Sequence, residues 1–136
     1  MERPTHSTAG PLALLYAALI VYASLFPFTG WRDQGIVPWA YLRAPWPKYW
    51  TGFDLAVNVA GYVPMGLLLA LALLRTRRAG VAVLLAAGAA TALSFAMECL
   101  QSYLPMRVAS NVHFAFHISG GWLGALPAAV AAGRRE

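Results

Sequence analysis

Charged side chains are scarce in this chain. Of its 136 residues, 11% are charged and 60% are hydrophobic, and the mean hydropathy is +0.58. A soluble domain of this length carries roughly a quarter charged residues. The scarcity argues against a soluble protein and favours a single integral membrane domain over residues 1–136.

Acidic residues and cysteine are rarer still. Five Asp and Glu stand against ten Lys and Arg, which gives a net charge of +5. The basic residues are scattered between apolar runs and form no patch interleaved with aromatic side chains, so we expect no nucleic-acid partner. The single cysteine, Cys99, has no internal disulfide partner and belongs to no zinc motif. We expect no cofactor, because no phosphate-binding glycine loop or established metal motif is present.

What the chain has in abundance is long stretches without charge. They cover residues 4–31, 55–74, 79–97 and 108–133. A helix needs about 20 apolar residues to cross the bilayer core. We therefore predict an all-α fold, a polytopic bundle of four transmembrane helices at about 11–28, 54–74, 79–103 and 112–132. The first stretch has a second interpretation as a signal peptide, but a retained helix is favoured because no clear small-residue cleavage site follows it.

Basic residues divide unequally between the two sides of such a bundle. One side has six, namely Arg3, Arg75, Arg77, Arg78, Arg134 and Arg135. The other side has four, spread over longer loops, namely Arg32, Arg43, Lys48 and Arg107. The positive-inside rule places the denser set in the cytoplasm, so both termini are predicted to be cytoplasmic.

The loop after the first span is rich in aromatic residues and proline. Its sequence, WRDQGIVPWAYLRAPWPKYWTGF, includes Trp39, Trp46, Tyr49, Trp50 and Phe53. Trp and Tyr are enriched at the headgroup level of membranes. The pattern predicts an aromatic-rich outer loop that lies along the interface. The alternative is a lid that contacts a lipid-linked or aromatic ligand.

Polar side chains on three of the spans fall at about the same depth, in the predicted outer half of the membrane. They are Asp54, Asn58 and Tyr62 on span two, Glu98 and Gln101 on span three, and His113 and His117 on span four, with Arg107 and Ser110 in the preceding turn. Residues three or four positions apart share a helix face. Ionisable groups in a bilayer are costly and need partners inside the bundle.

These positions predict specific contacts. We expect Glu98 to lie toward the bundle interior, within reach of Arg107, its natural ion-pair partner, or of a span-four histidine. Asp54 would pair with a histidine or with Arg107. At least one histidine is expected to hydrogen-bond directly to Asp54 or Glu98. Together the groups would line a polar cleft that opens outward. The alternative is that their hydrogen bonds only join the helices to one another.

Two spaced strings of polar, proline and glycine residues carry most of this chemistry. The first is Glu98-x-x-Gln101-x-x-x-Pro105-x-Arg107-x-x-Ser110, and the second is Asp54-x-x-x-Asn58-x-x-x-Tyr62-x-Pro64-x-Gly66. Together they resemble the VanZ-like family of small bacterial integral membrane proteins, over roughly residues 10–132. In that family the first string continues with an aspartate and an asparagine, where this chain has His113 and His117. The spacing is kept but the chemistry differs.

The resemblance implies a multi-pass protein of the bacterial cytoplasmic (inner) membrane with a role in the cell envelope. The founding member is associated with resistance to the glycopeptide antibiotic teicoplanin. We therefore expect the polar cleft to bind a lipid, a peptidoglycan precursor or an amphiphilic, glycopeptide-type antibiotic. Membrane lipids would surround the protein.

Three other functions remain open on the residues alone. A membrane enzyme acting on a lipid-linked substrate would use Glu98, Asp54 or His113 as acid–base groups. A metal site would combine His113 and His117 with Glu98 or Asp54, although satisfied hydrogen bonding is the commoner reason for two histidines on one membrane helix. A proton-coupled carrier would use Glu98 and the histidines, and it would need a dimer, because four short spans are few for an alternating-access monomer.

Overall fold

The fold is a bundle of four α-helices. The computed structural model describes residues 7–134, so Arg3 and Arg135 lie outside the described residues. The helices are α1 (Ala9–Leu25), α2 (Gly52–Leu73), α3 (Ala79–Gln101) and α4 (Asn111–Gly133), with a short 3-10 helix at Ala40–Arg43. The described chain contains no strand. The predicted all-α bundle is therefore confirmed.

Three of these helices, α2, α3 and α4, are long and apolar enough to cross a membrane. The first helix is apolar too, but it has only 17 residues. It ends at Leu25 rather than at the predicted residue 28, because Pro27 disfavours the helical conformation of the residue before it. The protein is thus a multi-pass membrane protein whose first helix is short.

The starts of α2 and α4 are fixed by polar caps. At α2, Thr51 Oγ1 accepts a hydrogen bond from the Asp54 backbone N–H at 3.0 Å, and Asp54 Oδ2 accepts one from the Thr51 N–H at 3.1 Å. This reciprocal pair is a capping box. At α4, Ser110 Oγ accepts from the His113 N–H at 3.3 Å. Both caps stand at the end of the bundle that holds residues 26–51, which we call the outer end.

Helices α2 and α4 approach each other backbone to backbone. A Cβ atom added at Gly120 would collide with the Val59 carbonyl, and one added at Gly124 would collide with the Val63 carbonyl. Small residues at helix crossings allow such close approach in membranes. The pair forms the frame of the bundle.

The first helix packs against this frame with only a few buried side chains, of which two are large. Its buried residues Ala13, Ile20 and Leu25 share a core cluster with Tyr62 and Met65 of α2. The opposite side of α1 is exposed, including Leu14 and Leu15. In a membrane this side contacts lipid.

The outer loop, residues 26–51, is tied to the α3–α4 turn and to the first residue of α4 by hydrogen bonds. They run from Arg32 N to Tyr103 O at 2.9 Å, from Gln34 Nε2 to Ser102 O at 2.6 Å, and from Asn111 Nδ2 to Ala44 O at 2.8 Å. In addition, Tyr41 is buried against the rings of Phe95 and Phe114. The loop is therefore a docked part of the fold.

The outer loop and the first turn of α2 carry exposed aromatic side chains, as the composition suggested. They are Trp39, Trp46, Tyr49, Trp50 and Phe53. Large apolar rings exposed at one end of a membrane bundle suit the headgroup region. The outer end would then lie at a membrane interface.

Candidate functional site

A cavity of about 450 Å³ lies among the four helices at the outer end. We call it the outer cleft. Its walls include seven of the nine polar residues singled out from the sequence, namely Asn58, Tyr62, Glu98, Gln101, Arg107, His113 and His117. Helix spacing had placed these residues at one depth, and the packing of the helices brings them to one cavity.

Part of the cleft wall is apolar and exposed. Leu19 on α1 and Val57 on α2 both line the cleft, and they are 54% and 51% exposed. Both residues belong to apolar helices of a membrane protein. The cleft therefore has a polar interior and an apolar rim on the side surface of the bundle.

His117 is the most connected polar side chain in the cleft. Its Nε2 lies 2.9 Å from Asn58 Oδ1 and its Nδ1 lies 2.8 Å from Ser94 Oγ. Its ring also stacks on Tyr62, with ring centroids 4.1 Å apart. A histidine so placed connects α2, α3 and α4.

The hydrogen-bond network assigns the tautomer of His117. The amide nitrogen of Asn58 donates to the Asp54 carbonyl at 2.8 Å, which leaves Asn58 Oδ1 as an acceptor. His117 Nε2 must then carry the hydrogen, and Nδ1 of the neutral ring accepts from the Ser94 hydroxyl. Both ring nitrogens are thus satisfied without a charge on the imidazole.

Glu98 is buried, with 1% of its surface exposed. Its Oε2 accepts a hydrogen bond from the Ser110 backbone N–H at 2.8 Å, and its Oε1 lies 3.8 Å from His117 Nδ1. The second distance is too long for a hydrogen bond. Among the described residues, neither His113 nor His117 makes the expected direct hydrogen bond to Asp54 or Glu98. The nitrogens of His117 are already occupied by Ser94 and Asn58.

Of the two partners expected near Glu98, His117 lies 3.8 Å away, whereas Arg107 bonds elsewhere. Arg107 donates from Nη2 to the Ala23 carbonyl at 2.8 Å and from Nε to the Phe26 carbonyl at 3.0 Å. Carbonyls at the end of a helix lack partners within the helix. They attract the guanidinium, which caps α1 and leaves Glu98 to the Ser110 N–H.

The two remaining residues of the set do not line the cleft. Asp54 caps α2 through Thr51, so it does not share a site with Glu98. Ser110 caps α4, and its N–H orients the Glu98 carboxylate. Within the cleft wall, Gln101 donates from Nε2 to the Ser24 carbonyl at 3.0 Å, which joins α3 to α1.

His113 lines the cleft one turn before His117, with 6.4 Å between the two ring centroids. Among residues 7–134, no three His, Cys, Asp or Glu side chains are grouped so that they hold a metal ion. The candidate set of His113, His117 and Glu98 therefore does not form a metal centre in this arrangement.

Sequence reasoning missed two residues of this region. Ser94, fully buried, binds His117, and its position four residues before Glu98 on α3 was the available signal. Tyr16 of α1 lines the cleft and donates its hydroxyl to the Gly61 carbonyl. Nothing in the sequence around Tyr16 distinguishes it from an interfacial tyrosine.

A second cavity of about 430 Å³ lies between the outer loop and the α3–α4 turn. We call it the loop pocket, and its walls include Gln34, Tyr41, Ser102 and Arg107. Arg107 thus borders both cavities. The Tyr41 hydroxyl is buried and interacts with the Cys99 thiol of α3. Burial raises the pKa of Tyr41 above its usual range, which keeps the hydroxyl protonated.

Comparison with protein families gives a match over most of the chain. The family model described as VanZ/LLP1 matches residues 10–131. No curated protein and no solved structure matches the chain. The matched region covers most of the chain, including all four helices but for the end residues of α1 and α4. This multi-pass membrane protein therefore belongs to the VanZ/LLP1 family.

Proposed function

We propose that this protein binds an amphiphilic molecule of the bacterial cell envelope in the outer cleft. The observation that carries the proposal is the combination of a polar interior with an apolar rim. Glu98 and His117 form part of the interior, whereas Leu19 and Val57 form part of the rim. A molecule with a polar group and a hydrocarbon chain matches both surfaces.

The size of the cleft narrows the class of ligand. A volume of about 450 Å³ lies in the usual range of small-molecule pockets. This size suits the headgroup region of a lipid or the membrane-proximal part of a lipid-linked peptidoglycan precursor. A whole glycopeptide antibiotic such as teicoplanin would contact the cleft with only one part of its structure. With both termini in the cytoplasm, the cleft would face the outer leaflet of the inner membrane, where all three are encountered.

A membrane enzyme acting on a lipid-linked substrate is the second candidate. Glu98 favours it, because a buried carboxylate on a cavity wall, oriented by the Ser110 N–H, suits a general acid or base. Binding is preferred because the hydroxyl that donates to His117, that of Ser94, does not line the cleft. It therefore offers no nucleophile to a ligand there. Asp54 is committed to its cap and adds no second carboxylate.

Site-specific photo-crosslinking in bacterial membranes tests the binding proposal. A photoreactive amino acid at Val57 should capture a discrete amphiphile, identified by mass spectrometry of the adduct. The matched control is Leu84, an apolar residue of α3 that is 62% exposed and does not line the cleft. Leu84 should capture only the bulk lipid mixture.

A cleft-filling variant completes the experiment. Ser24→Trp places a large side chain in the cleft wall while keeping the backbone carbonyl that binds Gln101. It should abolish the discrete adduct at Val57. The same adducts at Val57 and Leu84, or an adduct unaffected by Ser24→Trp, would contradict the proposal.

A further inference from the structure

Arg107 occupies a distinctive position between two cavities. It lines the outer cleft, which lies among the helices, and the loop pocket, which lies under the outer loop. Its backbone N–H bonds the Leu104 carbonyl in the turn at 2.9 Å. A ligand that extended from one cavity to the other would pass the guanidinium.

The charge of Arg107 is not balanced by a carboxylate. Within residues 7–134, the ion-pair distances of 4.0 Å or less shown by the structure include His117 with Glu98 and none for Arg107. The guanidinium contacts are the two carbonyls at the end of α1, Ala23 and Phe26. These carbonyls hold the group in place but leave its positive charge available.

The guanidinium also keeps free hydrogen-bond donors. An arginine side chain has five N–H groups in a planar fork. The α1 carbonyls take one from Nε and one from Nη2. The remaining donors suit the oxygens of a phosphate, which arginine recognises by paired charge-assisted hydrogen bonds.

The loop pocket has further polar side chains on its wall, which are Gln34 and Ser102. The neighbouring outer loop exposes Trp39 and Trp46, side chains typical of the headgroup level. A lipid phosphate resides at this level of a bilayer.

We propose that Arg107 binds the phosphate group of a membrane-embedded lipid, with the hydrocarbon chain leaving along the apolar rim of the outer cleft and the rest of the headgroup in the loop pocket. This inference rests on the proposed function and names its ligand class, a lipid-linked phosphate. It gives Arg107 two tasks, capping α1 and holding the anion.

The test compares ligands that differ only in the phosphate. Binding to the full-length, delipidated protein in detergent is measured by native mass spectrometry with short-chain phosphatidic acid and with diacylglycerol of the same acyl chains. The wild type should bind phosphatidic acid about tenfold more tightly, the scale of a charge-assisted pair. Inorganic phosphate in excess should not displace it.

The variants are chosen to keep the α1 cap. Arg107→Gln retains an amide donor for one α1 carbonyl and should lose the preference for phosphatidic acid. Arg107→Lys retains the charge but not the fork, and it should keep part of the preference. The matched control is Arg43→Gln, a basic residue of the same face that lines neither cavity, which should bind as the wild type does.

Each failure has a separate meaning. Equal binding of the two lipids by the wild type, or a preference that survives in Arg107→Gln, overturns the inference and leaves the proposed function standing. Full displacement by inorganic phosphate overturns the lipid part. Absence of binding by both lipids overturns the inference, and the proposed function is then decided by the crosslinking at Val57 and Leu84. If Arg107→Gln does not fold, the wild-type comparison and Arg107→Lys decide.

Discussion

At the scale of single residues, His117 determines how the outer cleft is held together. Its two nitrogens use Ser94 of α3 and Asn58 of α2, and its ring covers Tyr62. A hydrogen bond of this kind contributes about 1 kcal/mol net, but an unpaired buried group costs more. The imidazole therefore stabilises one arrangement of three helices.

Double-mutant analysis should detect the Ser94–His117 contact. We expect Ser94→Ala to lower the free energy of unfolding by about 1 kcal/mol in the wild type, because it removes the donor to His117 Nδ1. The same change should cost clearly less in a His117→Asn background, where the shorter side chain does not reach Ser94. Equilibrium unfolding in detergent measures both values, and strictly additive effects would contradict the contact.

The role of Glu98 as a hydrogen-bond acceptor gives a second residue-scale prediction. Glu98→Gln keeps an oxygen for the Ser110 N–H, so its effect on stability should be small. Glu98→Leu has similar volume but leaves that N–H unpaired, and we expect a loss of about 1–3 kcal/mol. Thermal unfolding of the purified variants provides the comparison. Equal losses in both variants would show that the carboxylate matters through its charge instead.

At the scale of helices, the frame of the bundle depends on glycines where α2 meets α4. Gly120 and Gly124 face the backbone of α2 at Val59 and Val63, with no space for a Cβ atom. Because both contacts are with backbone, neither helix relieves the overlap by a rotamer change. The two helices must separate if either glycine is enlarged.

Substitution of these glycines should destabilise the bundle. We expect Gly120→Ala and Gly124→Ala each to cost about 1–3 kcal/mol, the usual scale of overpacking. Gly88→Ala on α3 is the matched control, because its added Cβ meets no atom within 4 Å. This control should be neutral or slightly stabilising, since alanine favours helix. If Gly88→Ala lowered the melting temperature as much as the other two substitutions do, the packing would be contradicted.

The helices and the shared depth of their polar residues were predictable from the sequence, but the pairing of those residues was not. Charge-free runs and residue spacing gave four helices and placed Asn58, Glu98 and His117 near one another. The partners depend on how each helix is rotated in the bundle. They also depend on where a helix ends and leaves carbonyls without partners. The end of α1 near Pro27 leaves two such carbonyls, and Arg107 binds them. The spacing of polar and apolar residues along the sequence gives neither the rotation of each helix nor the position of these unpartnered carbonyls.

At the scale of the whole molecule, the orientation in the membrane is a prediction from arginine placement. The link between α2 and α3 carries Arg75, Arg77 and Arg78, which indicates the cytoplasmic side. In a Cys99→Ala background, a cysteine at Thr76 should resist an impermeant thiol reagent in intact cells. A cysteine at Tyr49, which is 84% exposed on the outer loop, should react. The reverse labelling pattern would show that the protein has the opposite orientation in the membrane, with the outer cleft in the cytoplasmic leaflet.

The short first helix has a consequence for the surrounding bilayer. At 1.5 Å per residue, the 17 residues of α1 extend for about 26 Å, whereas a typical hydrocarbon core is about 30 Å thick. Lipid meets such a mismatch by local thinning at a modest elastic cost. The membrane would therefore be dimpled beside α1, the helix that supplies one side of the cleft. Headgroups in such a dimple would lie closer to Arg107, and the deformed bilayer would shorten the path a ligand travels out of its leaflet.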